Sequence, residues 1–210
     1  MPEPGTRTFA VIPAAGHSTR MGRPKLSLPV GGRTVIECTL AALRSGGVGH
    51  VLVVVGPHVP ELVPLAAAAG ADVCLLPQPT ADMRSTAEHG LRWIEQMYRP
   101  RPDEWWILAP ADHPVLEPSV IRQLIAVARS PHSIAVPVHS GRRGHPTAIA
   151  WRHVGGIRAL AAGEGINAYL RAHGPETIEV AVDSDGIFAD LDTPDDYERL
   201  LSLANRGECT

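Results

Sequence analysis

"FAVIPAAGHSTRMGRPKLSLPVGG", residues Phe9–Gly32, is the stretch from which the rest of the chain can be read. An apolar run stops at Pro13 and gives way to small residues, hydroxyls, two arginines and a lysine. A continuous apolar block, as opposed to an alternating one, is expected of a strand buried on both faces. Phe9–Ile12 is the first of six such blocks; the others are His50–Val55, Asp72–Leu75, Trp105–Leu108, Ile134–Val138 and Ile178–Val182. Helix-length stretches rich in Ala, Leu and Arg separate most of them: Val35–Arg44, Glu61–Ala69, Ser85–Met97 and Ser119–Ala128. That alternation predicts right-handed crossovers and a mostly parallel sheet between two helical layers.

The expected fold is therefore α/β, a three-layer α/β/α Rossmann-like domain running from Thr8 to Leu203. Beyond Val138 the pattern loosens. His139–Pro146 reads as a polar loop, Trp151–Ile157 and Gly165–Ala172 as short helices, and Ile178–Leu191 as a strand with its return. Residues 139–191 are expected to form a small lobe over the sheet edge, and Met1–Arg7 and Asn205–Thr210 to be frayed ends.

With 210 residues, 44% of them hydrophobic, the chain can bury a core of its own. A formal net charge of −3 argues against general nucleic-acid or membrane-surface binding, so any cationic site is local. Cys38, Cys74 and Cys209 are too far apart for a zinc site or a disulfide framework. No run approaches a membrane span, and a reducing cytoplasm is the expected compartment.

In open parallel sheets, ligands bind outside the carboxyl ends of the strands, which directs attention to Pro13–Lys25, Pro77–Thr86 and Ala109–Pro114. Ala14, Ala15 and Gly16 let backbone N–H groups approach a phosphate, Ser18 and Thr19 add hydroxyls, and Arg20 and Lys25 add charge-assisted bonds. From the residues alone, a solvated surface loop is an equal alternative. The spacing matches neither a G-x-x-x-x-G-K-[ST] phosphate loop nor a G-x-G-x-x-G dinucleotide turn.

The order Pro13-Ala14-Ala15-Gly16-His17-Ser18-Thr19-Arg20-Met21-Gly22-Arg23-Pro24-Lys25 resembles the signature loop of nucleotidyltransferases that attach an NMP to a phosphorylated acceptor. The nearest pattern is that of the molybdenum-cofactor cytidylyl- and guanylyltransferases; Pro13, in place of their leucine, is more like the methylerythritol-phosphate cytidylyltransferases. The resemblance implies a nucleotide-diphospho-sugar-transferase type of sheet. It also implies nucleotide binding by Ala14, Ala15, Gly16, Ser18, Arg20, Met21, Gly22 and Lys25, with Arg20 and Lys25 also catalytic.

Asp112 lies in "ILAPADHPVL", at the exit of the Trp105–Leu108 strand. By itself it is either a metal carboxylate or a turn residue ahead of Pro114. The family reads Gly-Asp-Met-Pro there, which implies a catalytic, Mg²⁺-binding role for Asp112 and makes His113 a departure. "FADLDTPDDYERL" resembles the Asp-Ile-Asp-Thr-Pro-Glu-Asp ending of the cytidylyltransferases, implying Asp192 as second metal ligand with Asp190 as the alternative. Asp190 and Asp192 alternate along an extended segment, which would turn both to one side. Asp195 and Asp196 suit the first turn of a helix.

"PQPTADMRSTAEHGL" follows the third strand, where the family reads the base. Gln78 is a base contact or a surface residue; Ser85 and Thr86 contact nucleotide, cap a helix, or both. Asp82 and Arg84 stand where the family has glycine and serine. "RRGHPTAI" resembles the acceptor-binding segment, implying acceptor contacts for Gly144, His145 and Pro146, with Ile149 in a place where phenylalanine is common. Arg142 either binds an acceptor phosphate or belongs to a solvated turn. The other histidines, including His50, His58, His89 and His153, have no metal-ligand spacing.

The function the resemblance implies is CMP transfer from CTP to a phosphorylated acceptor, molybdopterin first, with release of pyrophosphate. Ala15 favours CTP, because a methyl group there crowds a purine more than a pyrimidine. A sugar, polyol or small-acid phosphate is the alternative acceptor, and a non-catalytic cofactor-binding module is the alternative from another class. A transient contact with a molybdoenzyme or its chaperone would follow from the first reading.

Overall fold

A computed structural model describes residues 7–127 and 132–205. The outer ends expected to fray, Cys209 among them, lie outside these residues, as does Ala128 at the end of an expected helix. Arg7 is not frayed: its guanidinium clasps Glu104, with Nε 2.7 Å from Oε1.

In chain order the elements are β1 (Thr8–Ala14), β2 (Pro29–Val30), β3 (Arg33–Thr34), α1 (Val35–Ser45), β4 (His50–Val55), α2 (Leu62–Ala68), β5 (Asp72–Leu75), α3 (Met83–Tyr98) and β6 (Trp105–Leu108). Next come α4 (Pro118–Val127), β7 (Ile134–His139), β8 (Arg142–Arg143), β9 (Thr147–Ala150), α5 (Val154–Arg158), α6 (Ile166–Ala172), β10 (Thr177–Ala181) and α7 (Pro194–Asn205). All six strands expected from apolar blocks are present; the inner ones are buried on both faces, while β5 and β10, at the sheet edges, are only partly covered.

The main sheet runs β10-β7-β9-β6-β1-β4-β5, with β8 paired to β7. The β1–β4, β1–β6, β4–β5 and β7–β10 pairs are parallel. β9 was not legible as a strand. It runs antiparallel between β6 and β7, with Ile107 opposite Ala148 and Ile134 opposite Ile149. Residues 139–191 thus contribute β8, β9 and β10 to the common sheet, together with α5 and α6.

The two faces of β1 feed two separate cores. Ala10, Ile12 and Ala14 pack with Leu40 and Leu43 of α1 and Ile121 and Leu124 of α4. Phe9 and Val11 pack with Leu91 and Ile94 of α3 and Ile157 and Ile166 from α5 and α6. Helix α3 lies close on the sheet at Gly90, where an added Cβ would stand 2.8 Å from methyls of both Val11 and Val54. Helix α1 starts cleanly because Thr34 and Glu37 form a capping box, Glu37 accepting from the Thr34 N–H at 2.6 Å.

The chain leaves β1 in one direction towards β4 and β5, then crosses to the other side at β6. The crevice at the exits of β1 and β6 is the switch point where such sheets bind ligands. Both Pro13–Lys25 and Ala109–Pro114 open into it. Among the described residues no helix is long and apolar enough to cross a membrane.

Candidate active site

The loop after β1 is folded from within by Ser18. Its backbone adopts φ +50°, its carbonyl accepts the N–H groups of Met21 and Gly22 at 3.1 Å, and its hydroxyl accepts the Lys25 N–H at 3.4 Å. Met21 is buried in the core, so only its backbone faces any ligand. Lys25 then opens a 3-10 turn, Lys25–Ser27, anchored by buried Leu26.

That turn aims the Lys25 ammonium across the crevice. Its Nζ lies 2.5 Å from Asp112 Oδ2 and 3.0 Å from Asp192 Oδ1, while Arg20 Nη1 lies 2.9 Å from Asp192 Oδ2. Three stretches far apart in sequence therefore meet on one charge cluster. Burial lowers the Lys25 pKa, but the Asp112 charge and hydrogen bonds to Asp112 and Asp192 outweigh it, and the net shift is upward. Lys25 is a cation throughout the neutral range.

Asp112 is placed by the exit of β6, and its own carbonyl accepts the Leu191 N–H at 3.1 Å. This main-chain bond brings the Asp190–Asp192 segment alongside. Asp190 and Asp192 both converge on Asp112, but through different partners. Asp192 goes to Lys25 and Arg20; Asp190 hydrogen-bonds His113, which is wholly buried. The hydrogen bond from His113 is the main reason the Asp190 pKa stands below the ordinary value. Asp112, His113 and Asp190 form the one group of three potential metal ligands found among the described residues, their ligand atoms all within 4.8 Å of one another.

Asp192 is held by the start of α7. The Asp196 carboxylate accepts from the Thr193 N–H at 2.8 Å, the Thr193 hydroxyl at 2.7 Å and the Asp192 N–H at 3.2 Å. Those bonds, the Thr193 hydroxyl first, lower the Asp196 pKa to about 2. A carboxyl depressed below its unfolded value of 3.8 contributes stability above that value and loses it as pH falls through about 2. The urea-unfolding free energy is accordingly expected to fall between about pH 4 and pH 2, and Asp196→Asn to flatten that slope. An unchanged slope would show that Asp196 is not held this way.

A cleft of about 220 Å³ lies beside the cluster, lined by Ala14, Gly16, Ser18, Lys25, Asp112 and His145, with Met83 at its edge. A larger hollow of about 340 Å³ lies between α1 and Pro114–Pro118, but it holds neither the carboxylates nor the loop cations. Of the two, only the smaller is lined by members of the charge cluster, Lys25 and Asp112.

His145 enters the cleft wall through a close approach at Gly144. A Cβ on Gly144 would stand 2.6 Å from both Ile187 Cγ1 and the Ile187 carbonyl oxygen. The His145 N–H donates to that same carbonyl at 2.9 Å. Gly144→Ala is expected to destabilise the protein by about 1–3 kcal/mol in thermal unfolding, since a backbone atom blocks the methyl group. A change below about 0.5 kcal/mol would mean that the segment shifts freely. Burial, and then the charge of His113, lower the His145 pKa, so it is neutral at pH 7.

Other expected residues lie outside this cleft's lining. Gln78 is exposed on the loop after β5. Ser85 is in the first turn of α3, whose N-cap is Asp82, accepting the Ser85 N–H at 2.7 Å; neither Ser85 nor Thr86 caps the helix. Arg142 is exposed, its guanidinium 4.5 Å from the centre of the Phe188 ring. Pro146 is buried behind His145 in sequence. Ala15 packs partly against the core near Gly56, and Gly22 turns the loop with φ +70°. His58 does take a part: its ring stacks on His17 at 3.9 Å, tying the loop after β4 to the loop after β1. No spacing rule signals such a contact between two loops.

A switch-point cleft with small residues and cations on one side and carboxylates on the other is what a domain built for phosphorylated ligands requires. Residues 10–177 match the family described as the MobA-like NTP transferase domain, and the chain belongs to that family. It is 32% identical over 139 residues to 2-C-methyl-D-erythritol 4-phosphate cytidylyltransferase of Ralstonia nicotianae, covering 63% of this chain and 54% of the relative. It is also 32% identical over 146 residues to 3-deoxy-manno-octulosonate cytidylyltransferase of Yersinia enterocolitica, covering 67% and 56%. The matched part spans about half the length of these curated relatives. Among solved structures, the homologue of Mycobacterium tuberculosis Rv0371c from Mycobacterium sp. strain JC1 superposes with a TM-score of 0.80 at 29% identity, covering 96% of this chain and 98% of that one.

Proposed function

We propose that the protein is a metal-dependent nucleotidyltransferase that moves CMP from CTP to a phosphorylated acceptor, molybdopterin first, and releases pyrophosphate. The observation that carries this reading is Lys25 bridging Asp112 and Asp192, with Arg20 beside it, at the mouth of the small-residue cleft.

In that reaction an acceptor phosphate oxygen attacks the α-phosphorus in line. The bond from the α-phosphorus to the α,β-bridging oxygen breaks, and the electron pair leaves with pyrophosphate. Lys25 and Arg20, the cations nearest the cleft, turn from the carboxylates to the triphosphate and offset its charge. The backbone of Ala14–Gly16 supplies N–H donors, and the cleft holds the two reactants in line. His145, neutral and in the wall, contacts the acceptor, and Arg142 offers a cation to an acceptor phosphate further out.

Asp112 and Asp192 are hard oxygen donors, partly shielded from water, whose ion-pair partners among the described residues are Lys25 and Arg20, a set that suits Mg²⁺. When bound there, Mg²⁺ supplies Lewis-acid neutralisation of phosphate charge. CTP is supported by the two cytidylyltransferase relatives. The first of those relatives, named for a polyol phosphate, favours a polyol or sugar phosphate as the second reading of the acceptor.

Pyrophosphate release from ATP, GTP, CTP and UTP, each paired with molybdopterin or with a polyol or sugar phosphate and Mg²⁺, tests all of this together. Release with CTP and molybdopterin is the expected result. Tight nucleotide binding without turnover of any pair would replace the enzyme reading with that of a binding module.

A further inference from the structure

Tyr197 closes the first turn of α7, and its ring is buried in the core that also holds Leu26, Leu28 and Val30. An aliphatic side chain could fill such a place, but the phenol adds two contacts of its own. Its hydroxyl donates to the Pro29 carbonyl at 2.6 Å, and the Arg23 guanidinium stands 5.1 Å from the centre of its ring. Arg23 and Pro29 flank the 3-10 turn that carries Lys25. One side chain therefore grips the loop after β1 on both sides of Lys25.

The backbone of Tyr197 is tied in turn to Asp192. Its N–H donates to the Thr193 carbonyl at 3.2 Å, and the Asp196 carboxylate beside it accepts the N–H groups of Asp192 and Thr193. Lys25 and Asp192 are thus joined twice, directly by the ion pair at 3.0 Å and indirectly through the first turn of α7 and the Tyr197 hydroxyl. A nucleotide acts differently on the two links. The ion pair opens when Lys25 turns to a triphosphate. The hydroxyl–carbonyl bond involves no charged group, and Tyr197 is not among the residues lining the cleft. The Leu191 N–H bond to the Asp112 carbonyl also persists, but it ties the 190–192 segment to the exit of β6 and not to the loop.

We infer that Tyr197 is a positioning residue, which keeps the Asp190–Asp192 segment in register with the loop after β1 while Lys25 is engaged with the nucleotide. The inference rests on the nucleotidyl-transfer reading, in which Lys25 leaves the carboxylates. Without nucleotide the tyrosine link duplicates the ion pairs; with nucleotide it becomes the tie that remains between loop and segment.

Tyr197→Phe keeps the ring and removes the hydroxyl. It is expected to lower kcat about five- to tenfold while KM for CTP stays within about twofold, because the loop's own contacts to triphosphate are untouched and only alignment is lost. The melting temperature falls by no more than about 4 °C, the cost of one neutral hydrogen bond in a chain of this size. A second measurement needs no nucleotide: hydrogen exchange over residues 190–197, read by mass spectrometry. Tyr197→Phe alone speeds exchange there less than about twofold, since Lys25 still binds Asp192; added to Lys25→Ala, it speeds exchange at least about fivefold. Arg23→Ala, at an exposed position, carries both measurements with effects of about two- to threefold should Tyr197→Phe fail to fold. An unchanged kcat in an active enzyme, a loss carried by KM alone, or an equal effect on exchange in both backgrounds overturns the inference. A wild type that turns over no nucleotide removes the nucleotidyl-transfer reading instead, and the exchange measurement still decides whether Tyr197 links the two segments.

Discussion

Asp112→Asn is expected to reduce pyrophosphate release by on the order of 10³-fold, roughly 4 kcal/mol of barrier, while leaving the protein folded. The size of the effect comes from position. Asp112 is the carboxylate on which Lys25, the Asp190–His113 pair and, through Lys25, Asp192 all converge. The amide substitution keeps the shape and removes the charge that any bound divalent cation would need. Stability should change little, because the Asp112 carbonyl still accepts the Leu191 N–H and Lys25 keeps its bond to Asp192. Turnover within threefold of wild type, in a quenched pyrophosphate assay with saturating CTP, would remove Asp112 from the chemistry.

The second large effect is expected at Lys25. Lys25→Ala should lower kcat/KM for the nucleotide by about 10²–10³-fold, the usual cost of losing one preorganised donor to developing charge. It also leaves Arg20, on Asp192, as the remaining ion-pair partner of the two carboxylates among the described residues, and the Arg20 side chain is 71% exposed. Lys25→Arg should not restore the rate. Lys25 is a compact point charge whose single nitrogen meets both carboxylates at 2.5 and 3.0 Å, whereas a planar guanidinium presents its donors in a rigid, wider fork that changes that geometry. Rescue by arginine to within tenfold of wild type would show that only the charge matters.

The fold was legible wherever burial imposes a pattern. Strands covered by helices on both faces must be apolar throughout, and His50–Val55 and Trp105–Leu108 announce themselves for that reason. Thr147–Ala150 is equally buried, yet four residues of Thr, Ala, Ile and Ala carry no period and no β-branched run long enough to separate strand from loop. Its place between β6 and β7 is decided by partners far along the chain.

The site divides in the same way. The resemblance pointed to the loop after β1 and to Asp112 and Asp192, and the structure brings Arg20, Lys25 and both carboxylates together. What no spacing reveals is that Lys25 reaches both carboxylates, 87 and 167 residues away. Nor could the sequence separate Asp190 from Asp192: two residues apart in an open segment, they part company only because His113 is buried beneath one of them. Asp82 shows the reverse case, where a departure from the family pattern has a local explanation as the cap of α3.

The hydrogen bond between the Asp112 carbonyl and the Leu191 N–H has a consequence for how the site is switched on. Every strand of the sheet precedes residue 182, so the sheet can be complete while Asp190 and Asp192 are still unplaced. A chain halted during synthesis at residue 189 would carry the cationic loop and Asp112 but lack Asp190 and Asp192. In the finished protein, opening of the 185–196 segment would disconnect the cluster and also draw the buried Ile187 and Leu191 out of the core that packs on α1 and α4. The segment that completes the charge cluster therefore also closes one of the two cores, so that assembly of the site and the last step of packing are one event.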